Sequence, residues 1–206
     1  FPAIIQHQLE PEIYSLKGLR AFLKIAARKE LKHFPIHIKL DTGMHRLGFE
    51  EEDINELISV LKDHKSVQVK SILSHLATSD DISQKEFAIE QIQLFDELSS
   101  KMMTALNITP IRHILNTSGI SNFPNSQFSM VRLGIGLYGV SNDAEEQKQL
   151  NNVGTLKSVI SQIRTIETGE SVGYGRNYIA KNHRRIATIP IGYADGISRR
   201  WGSGAG

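Results

Sequence analysis

One short run of the sequence places ionisable side chains at every second position. These are His37, Lys39 and Asp41, and they alternate with apolar residues. Successive side chains of a strand point to opposite faces, so the three polar groups would share one face. A polar face within a parallel sheet indicates a barrel whose mouth holds a charged ligand. The alternative is an edge strand with one solvent-exposed face. The turn that follows would place Arg46 just beyond the strand's carboxyl end, where barrels carry active sites.

A second run, 131–140, combines an arginine with closely spaced glycines. As a strand it would have one apolar face, and its other face would carry Arg132, Gly134, Gly136 and Tyr138. Glycines on one face leave room for a ligand or for a neighbouring backbone, and tight strand packing explains them equally well. The guanidinium group of Arg132 suits a phosphate, a carboxylate or a ring nitrogen.

Polar turns carry four further candidates. His75 follows a predicted strand, where a structural histidine is the commoner explanation. Thr117 lies in a strand-to-helix turn, 116–119, whose hydroxyls and backbone N–H groups suit an anion. Tyr174 stands between two glycines, and Tyr193 lies in a second turn of this kind.

Composition excludes several kinds of site. The 206 residues include no cysteine, so there is no disulfide, thiolate metal ligand or cysteine nucleophile. The net charge of +2 comes from dispersed basic residues, so we expect no nucleic-acid partner. We expect no membrane helix, because no apolar run approaches the roughly 20 residues that one needs. We also expect no metal site, and we find no nucleotide-binding glycine motif.

The elements that position these residues alternate between strand and helix. Predicted strands are Ile4–Gln8, Ile36–Asp41, Val67–His75, Ile111–Asn116 and Val131–Val140. Predicted amphipathic helices are Ser15–Lys29, Glu51–Lys62 and Ser83–Leu106. This alternation is typical of parallel βαβ units whose helices pack outside the sheet.

The alternation stops after residue 140. The polar segment 141–152 is predicted to be a linker, and β-rich runs follow at Ser158–Glu167 and Arg185–Ile191. We therefore predict an α/β domain over residues 1–148 and a β-rich domain over residues 149–206.

Six segments together resemble the alanine racemases, which are barrel-type pyridoxal-phosphate enzymes. These segments are 39–48, 74–80, 116–118, 130–139, 172–175 and 189–196. The resemblance implies an α/β fold, with the later strands of a (β/α)8 TIM-type barrel followed by the start of an all-β C-terminal domain. It also implies a cytoplasmic bacterial homodimer, assembled head to tail, that interconverts L- and D-alanine by two-base transfer of the Cα proton. This reaction would supply D-alanine for peptidoglycan.

The resemblance implies roles at the active site. Tyr174 matches a catalytic acid–base that reaches the cofactor from the partner subunit. His75 matches the histidine that bonds this tyrosine beside the cofactor, and Arg132 matches the arginine at the pyridine nitrogen. Arg46 matches an arginine that contacts cofactor and substrate, and Tyr193 belongs to a substrate-binding motif.

The remaining matches concern the phosphate and one modified lysine. Thr117, Gly134 and Ile135 match phosphate-binding positions, with Thr117 in place of the usual serine. Lys39 matches a lysine that is often carbamylated. His45 replaces a common glycine, and we expect little effect.

The family's Schiff-base lysine has no counterpart in the chain, because Lys39 belongs to the motif of a later strand. We therefore expect an incomplete chain that lacks the Schiff-base segment and the end of the C-terminal domain, and that is inactive alone. A racemase of another amino acid, such as serine, is one alternative. A non-catalytic or degenerate domain of a multifunctional cell-wall protein is the other.

Overall fold

Strands and helices alternate along the first unit of the computed structural model, which describes residues 1–198 and 200. This unit spans Phe1–Val153, and a second unit begins at Gly154. The elements of the first unit are α1 (Pro2–Gln6), β1 (Glu12–Ile13), α2 (Leu16–Arg28), β2 (Phe34–Lys39), α3 (Ile54–Lys62), β3 (Val67–Leu73), α4 (Lys85–Leu106), β4 (Ile111–His113), α5 (Thr117–Asn122) and α6 (Ala144–Gln147).

The strands form a parallel sheet in the order β1-β2-β3-β4, with a helix between each consecutive pair. This confirms the predicted βαβ pattern and the three long amphipathic helices. A bulge interrupts the ladder between β2 and β3. Ile36 pairs with Val69, but the next residue, His37, pairs with Ser71, so that Lys70 is passed over.

The apolar face of β2 lies in the core. Ile36, Ile38 and Leu40 are buried, as the alternation predicted. Helix α2 packs Phe22 into the same core, and α4 contributes Phe95. Burying each such side chain stabilises the fold by about 1.5–3 kcal/mol, so this face anchors the strand and leaves its other face to polar groups.

The predicted strand at Ile4–Gln8 is wrong, because the chain forms helix α1 there. Pro2 stands in the first turn of α1, where its fixed φ suits a helix and its missing N–H costs no hydrogen bond. Ile4 and Ile5 are half-buried against the core.

The predicted strand at Val131–Val140 is also wrong. The segment runs beside the end of β4, where the N–H of Arg132 donates to the carbonyl of Leu115 at 3.0 Å, and then forms a 3₁₀ turn at Ile135–Tyr138. The hydroxyl of Thr117 accepts the N–H groups of Gly134 and Gly136, which a strand would use in its ladder.

The segment 141–152, predicted to be a linker, instead belongs to the first unit and contains α6. The side chain of Asp143 caps this helix by accepting the N–H groups of Glu145 and Glu146. The amide of Gln147 donates to the carbonyl of Gly139 at 3.1 Å and ties the helix to the preceding turn. The boundary near residue 148 stays a prediction.

The second unit contains two antiparallel pairs. Strand β5 (Gln162–Ile166) pairs with β8 (Arg184–Thr188), and β6 (Ser171–Val172) pairs with β7 (Tyr178–Ile179). Both β-rich runs predicted for this region therefore contain strands. Within the part of the chain that the structure describes, no helix has the length and apolar character needed to cross a membrane.

Candidate active site

The loop after β2 is organised by the carboxylate of Asp41. Its Oδ1 accepts the backbone N–H groups of Gly43, Met44 and His45 at 2.9, 3.0 and 3.1 Å. Burial alone would raise the pKa of Asp41, but these hydrogen bonds and the nearby His45 lower it below its usual value. Asp41 is therefore an ionised anchor for the loop that carries Arg46.

The loop returns to the strand that it left. The N–H of Phe49 donates to the carbonyl of Lys39, and the N–H of Asp41 donates to the carbonyl of Phe49, both at 2.9 Å. Gly48 makes this closure possible, because its φ is +146° and a Cβ there would lie 2.3 Å from the backbone N of Asp41. The exposed Arg46 is thus held in a short loop with both ends on β2.

Arg132 is held by groups at the carboxyl ends of β3 and β4. Its Nη1 lies 2.5 Å from His113 Nδ1, and its Nη2 donates to the carbonyls of Ser74 and Ile114 at 2.7 and 3.2 Å. Nη2 also lies 3.1 Å from His75 Nδ1. Among the described residues no acceptor is recorded for Nε, so its N–H is the one donor direction left for a ligand. Burial lowers the pKa of Arg132, yet a guanidinium remains a cation in proteins.

His75 is a neutral imidazole with a fixed tautomer. Arginine can only donate, so His75 Nδ1 accepts and the ring proton is on Nε2. Burial lowers the pKa of His75, and the charges of Arg132, Arg46 and Lys39 lower it further. The structure thus brings these three predicted cations around His75, whose Nε2–H can donate to a ligand or a partner.

Lys39 has a carboxylate partner that the sequence did not predict. Its Nζ lies 3.5 Å from Glu12 Oε1 on the neighbouring strand β1, and the lysine side chain is only 11% exposed. The polar face of β2 therefore consists of paired side chains rather than of charges open to water.

The hydroxyl of Thr117 joins the two segments that were predicted to bind phosphate. Its Oγ1 accepts the N–H of Gly134 at 2.9 Å and that of Gly136 at 3.3 Å. A Cβ on Gly136 would lie 2.6 Å from the methyl group of Thr117, so a larger residue at this position would displace the Thr117 side chain. Because Oγ1 already accepts two donors, its own proton is free to donate outward.

A cavity of about 280 Å³ opens beside this contact. Its lining includes His75, Asn116, Thr117, Ser118, Gly134 and Ile135. Asn116 caps α5 by accepting the N–H of Gly119 at 3.0 Å. Within the described chain, the N–H groups of Thr117, Ser118 and Ile135 have no recorded acceptor. Hydroxyl and N–H donors around a cavity of this size fit a phosphate group.

Tyr174 and Tyr193 lie in the second unit. Tyr174 begins a 3₁₀ turn between β6 and β7, flanked by Gly173 and Gly175 with φ of +76° and +68°, and its side chain is fully exposed. Tyr193 begins another 3₁₀ turn and is largely exposed. Among residues 1–198 and 200, no three His, Asp or Glu side chains are grouped as a metal site.

Sequence reasoning missed His113, Ser71 and Glu12, which contact the predicted residues. Each is a single polar residue in or beside a short strand, and its position along the chain gives no sign of its partner. The one available signal was His113, a histidine that directly precedes the apolar pair Ile114 and Leu115 at the end of β4.

Comparison with known proteins gives the family. Residues 1–142 match the family model of the alanine racemase N-terminal domain, and residues 153–205 match that of the C-terminal domain. Alanine racemase 2 of Caldanaerobacter subterraneus subsp. tengcongensis is 37% identical over 190 residues, which cover 90% of this chain and 48% of the relative.

Two solved structures extend the comparison. Alanine racemase from Streptomyces coelicolor A3(2) matches with a TM-score of 0.89 and 25% identity, over 98% of this chain and 54% of that one. The enzyme from Bartonella henselae, solved with covalently bound pyridoxal phosphate, matches with a TM-score of 0.77 and 29% identity, over 97% and 54%. The chain spans about half the length of the curated relatives it matches. Its fold is thus that of the alanine racemase barrel domain with C-terminal-domain sequence after it, and the chain belongs to the alanine racemase family.

Proposed function

We propose that the full-length protein interconverts L- and D-alanine with pyridoxal phosphate as its cofactor. The observation that carries this proposal is Arg132, whose two Nη atoms are held by β3 and β4 while its Nε–H is left for a ligand. The amide-lined cavity beside Thr117 supports the same assignment, because a phosphate would fit there. The covalently bound pyridoxal phosphate of the Bartonella henselae relative supports it independently.

Residues of this chain would hold the cofactor at two points. Thr117, Gly134 and Ile135 would bind the phosphate, and Arg132 would donate to the ring nitrogen. When bound, pyridoxal phosphate withdraws electrons from the Cα of an amino acid and makes its hydrogen acidic. Arg132 donates a hydrogen bond but does not give up its proton, so the ring nitrogen stays unprotonated. Weaker electron withdrawal of this kind favours prompt return of a proton to Cα, which racemisation requires.

Tyr174 would move one of the two protons. Its phenol is fully exposed on the second unit, which suits a group that meets its substrate on another subunit of a head-to-tail homodimer. The Nε2–H of His75 would donate to the phenol oxygen and stabilise its negative form. Arg46 and Tyr193 would contact the substrate, and Lys39 would be carbamylated. A cytoplasmic location and the supply of D-alanine for peptidoglycan follow from the same proposal.

The test uses the full-length protein and the variant Tyr174→Phe. L- and D-alanine have equal free energies, so the loss of one base must slow racemisation equally in both directions. Exchange of the Cα hydrogen with deuterated water separates the two bases. The variant should still exchange this hydrogen in one enantiomer, through the remaining base, and should lose exchange in the other.

Tyr178→Phe, in the same hairpin, is the matched control and should exchange both enantiomers at the wild-type rate. Equal exchange of both enantiomers by Tyr174→Phe would contradict the role of Tyr174. Absence of pyridoxal-phosphate binding, or faster turnover of serine than of alanine, would contradict the proposed function itself.

A further inference from the structure

A continuous series of hydrogen bonds extends behind Arg132, across the polar face of β4, β3 and β2. Arg132 Nη1 contacts His113 Nδ1 at 2.5 Å, and His113 Nε2 contacts Ser71 Oγ at 3.2 Å. Ser71 Oγ contacts His37 Nδ1 at 2.6 Å, and His37 Nε2 contacts Glu10 Oε2 at 2.8 Å. This series connects the half-buried Arg132 with a carboxylate at the surface.

Only one arrangement of protons satisfies every contact when both rings are neutral. Arg132 must donate, so His113 accepts at Nδ1 and donates from Nε2 to Ser71. The hydroxyl of Ser71 then donates to His37 Nδ1. His37 donates from Nε2 to Glu10, which as a carboxylate can only accept. Each proton in the series therefore points away from Arg132.

His113 is well placed to hold this arrangement. It is 5% exposed, and Ser71 is 2% exposed, so water does not compete for either contact. Burial and the charge of Arg132 together lower the pKa of His113 to about 4, so the ring is neutral at pH 7.

We propose that His113 is a positioning residue that aims the guanidinium of Arg132 through its Nδ1, and that Ser71, His37 and Glu10 fix the tautomer that makes this possible. The proposal rests on the proposed function for the role of Arg132 at the cofactor nitrogen. The contact between Arg132 and His113 is present in the chain without any ligand.

Two substitutions separate positioning from simple packing in the full-length protein. His113→Asn keeps an acceptor near the position of Nδ1, and His113→Leu keeps comparable bulk without any acceptor. We expect His113→Asn to lower kcat by less than about tenfold. We expect His113→Leu to lower kcat by about 100-fold, since a small misplacement of a catalytic contact has effects of that size. The affinity for the cofactor phosphate should change little in either variant.

Two spectroscopic measurements give readouts other than activity. In cofactor-free protein at pH 7, nitrogen-15 NMR of the histidine rings should show His113 protonated at Nε2 only, and Ser71→Ala should allow the second tautomer. With nitrogen-15-labelled pyridoxal phosphate bound, the ring-nitrogen signal should shift in His113→Leu and stay near its wild-type position in His113→Asn. Ser99→Ala, which removes another buried hydroxyl beside an arginine, should shift neither signal.

A His113 protonated at Nδ1, or equal shifts in the Asn and Leu variants, would overturn the proposal. If the tautomer is as expected but the protein neither binds pyridoxal phosphate nor racemises alanine, the proposed function fails while the Arg132–His113 contact stands. The two failures are therefore distinguishable.

Discussion

Thr117 and Gly134 are joined by a hydrogen bond of 2.9 Å from the backbone N–H of Gly134 to the threonine hydroxyl. This bond connects the start of α5 to the residues that follow Arg132. It sets the position of the neighbouring Ile135 N–H beside the cavity, and it turns the hydroxyl proton of Thr117 outward. One side chain thus arranges donors from two separate parts of the chain around one space.

Replacing Thr117 with valine tests this arrangement. Thr117→Val keeps the shape but removes the hydroxyl, so affinity for pyridoxal phosphate should fall by about tenfold or more, as expected for the loss of a hydrogen bond to a charged group. Thr117→Ser should stay close to wild type. Equilibrium dialysis measures both affinities. Pyridoxal without its phosphate is the control ligand, and an equal loss for both ligands would contradict the assignment.

The neutral His113 predicts that the protein is less stable in mild acid. The unfolded chain takes up a proton below pH 6.5, but folded His113 does not until about pH 4. Its contribution is fully present above pH 6.5 and is lost between these values, an effect of about 3 kcal/mol in the free energy of unfolding. The lowered pKa of His75 acts in the same direction. Urea unfolding followed by circular dichroism at several pH values measures the slope.

The control for this pH dependence is His113→Asn, which cannot titrate. Its stability at pH 7 should be lower than that of the wild type, but it should change less as the pH falls toward 4. Identical slopes in the two proteins would show that His113 titrates normally in the folded state.

Gly48→Ala should disrupt the loop that carries Arg46. The new methyl group would lie 2.3 Å from the backbone N of Asp41 and 2.6 Å from the carbonyl carbon of Leu40, and neither backbone atom can move alone. We expect a loss of at least about 2 kcal/mol in the free energy of unfolding. The matched control is Gly154→Ala, where a Cβ meets no atom within 4 Å. A wild-type stability for Gly48→Ala would mean that the loop opens at little cost.

The ion pair between Lys39 and Glu12 leads to a prediction about the extent of the proposed carbamylation. A carbamate on Lys39 would place two negative groups side by side, because Glu12 Oε1 lies 3.5 Å from Nζ. Glu12→Gln should therefore increase the carbamate signal in carbon-13 NMR of full-length protein kept in labelled bicarbonate. Lys39→Arg should abolish the signal. A Glu12→Gln spectrum that matches the wild type would show that Glu12 does not oppose the modification.

Elements with a long, regular pattern were predictable from the sequence. Helix α2 begins at the Ser15 cap and buries its apolar stripe, and β2 alternates between core and polar face as its residues indicated. The runs at Ile4–Gln8 and Val131–Val140 were misjudged because a proline in one case, and a distant threonine side chain in the other, decide the backbone conformation. Neither effect is visible in the alternation of apolar residues.

The candidate site was predictable by residue type but not by contact. The sequence indicated Arg132 and His75 as separate features, and the structure joins them at 3.1 Å. His113 and Ser71 were not predicted, because their importance depends on which residues of adjacent strands stand side by side. That alignment is set by the three-dimensional sheet and not by spacing along the chain.

The bulge between β2 and β3 has a consequence for how this sheet tolerates insertions and deletions. Because Lys70 is passed over, His37 stands beside Ser71 rather than beside a lysine. Deleting Lys70 would leave Val69 beside Ile36 and Ser71 beside His37, because consecutive residues of a strand point to opposite faces, as these two already do. The extra residue in β3 is therefore a position where one residue can be lost without moving the polar face that supports Arg132, whereas a deletion in the regular part of either strand would turn the following side chains to the opposite face.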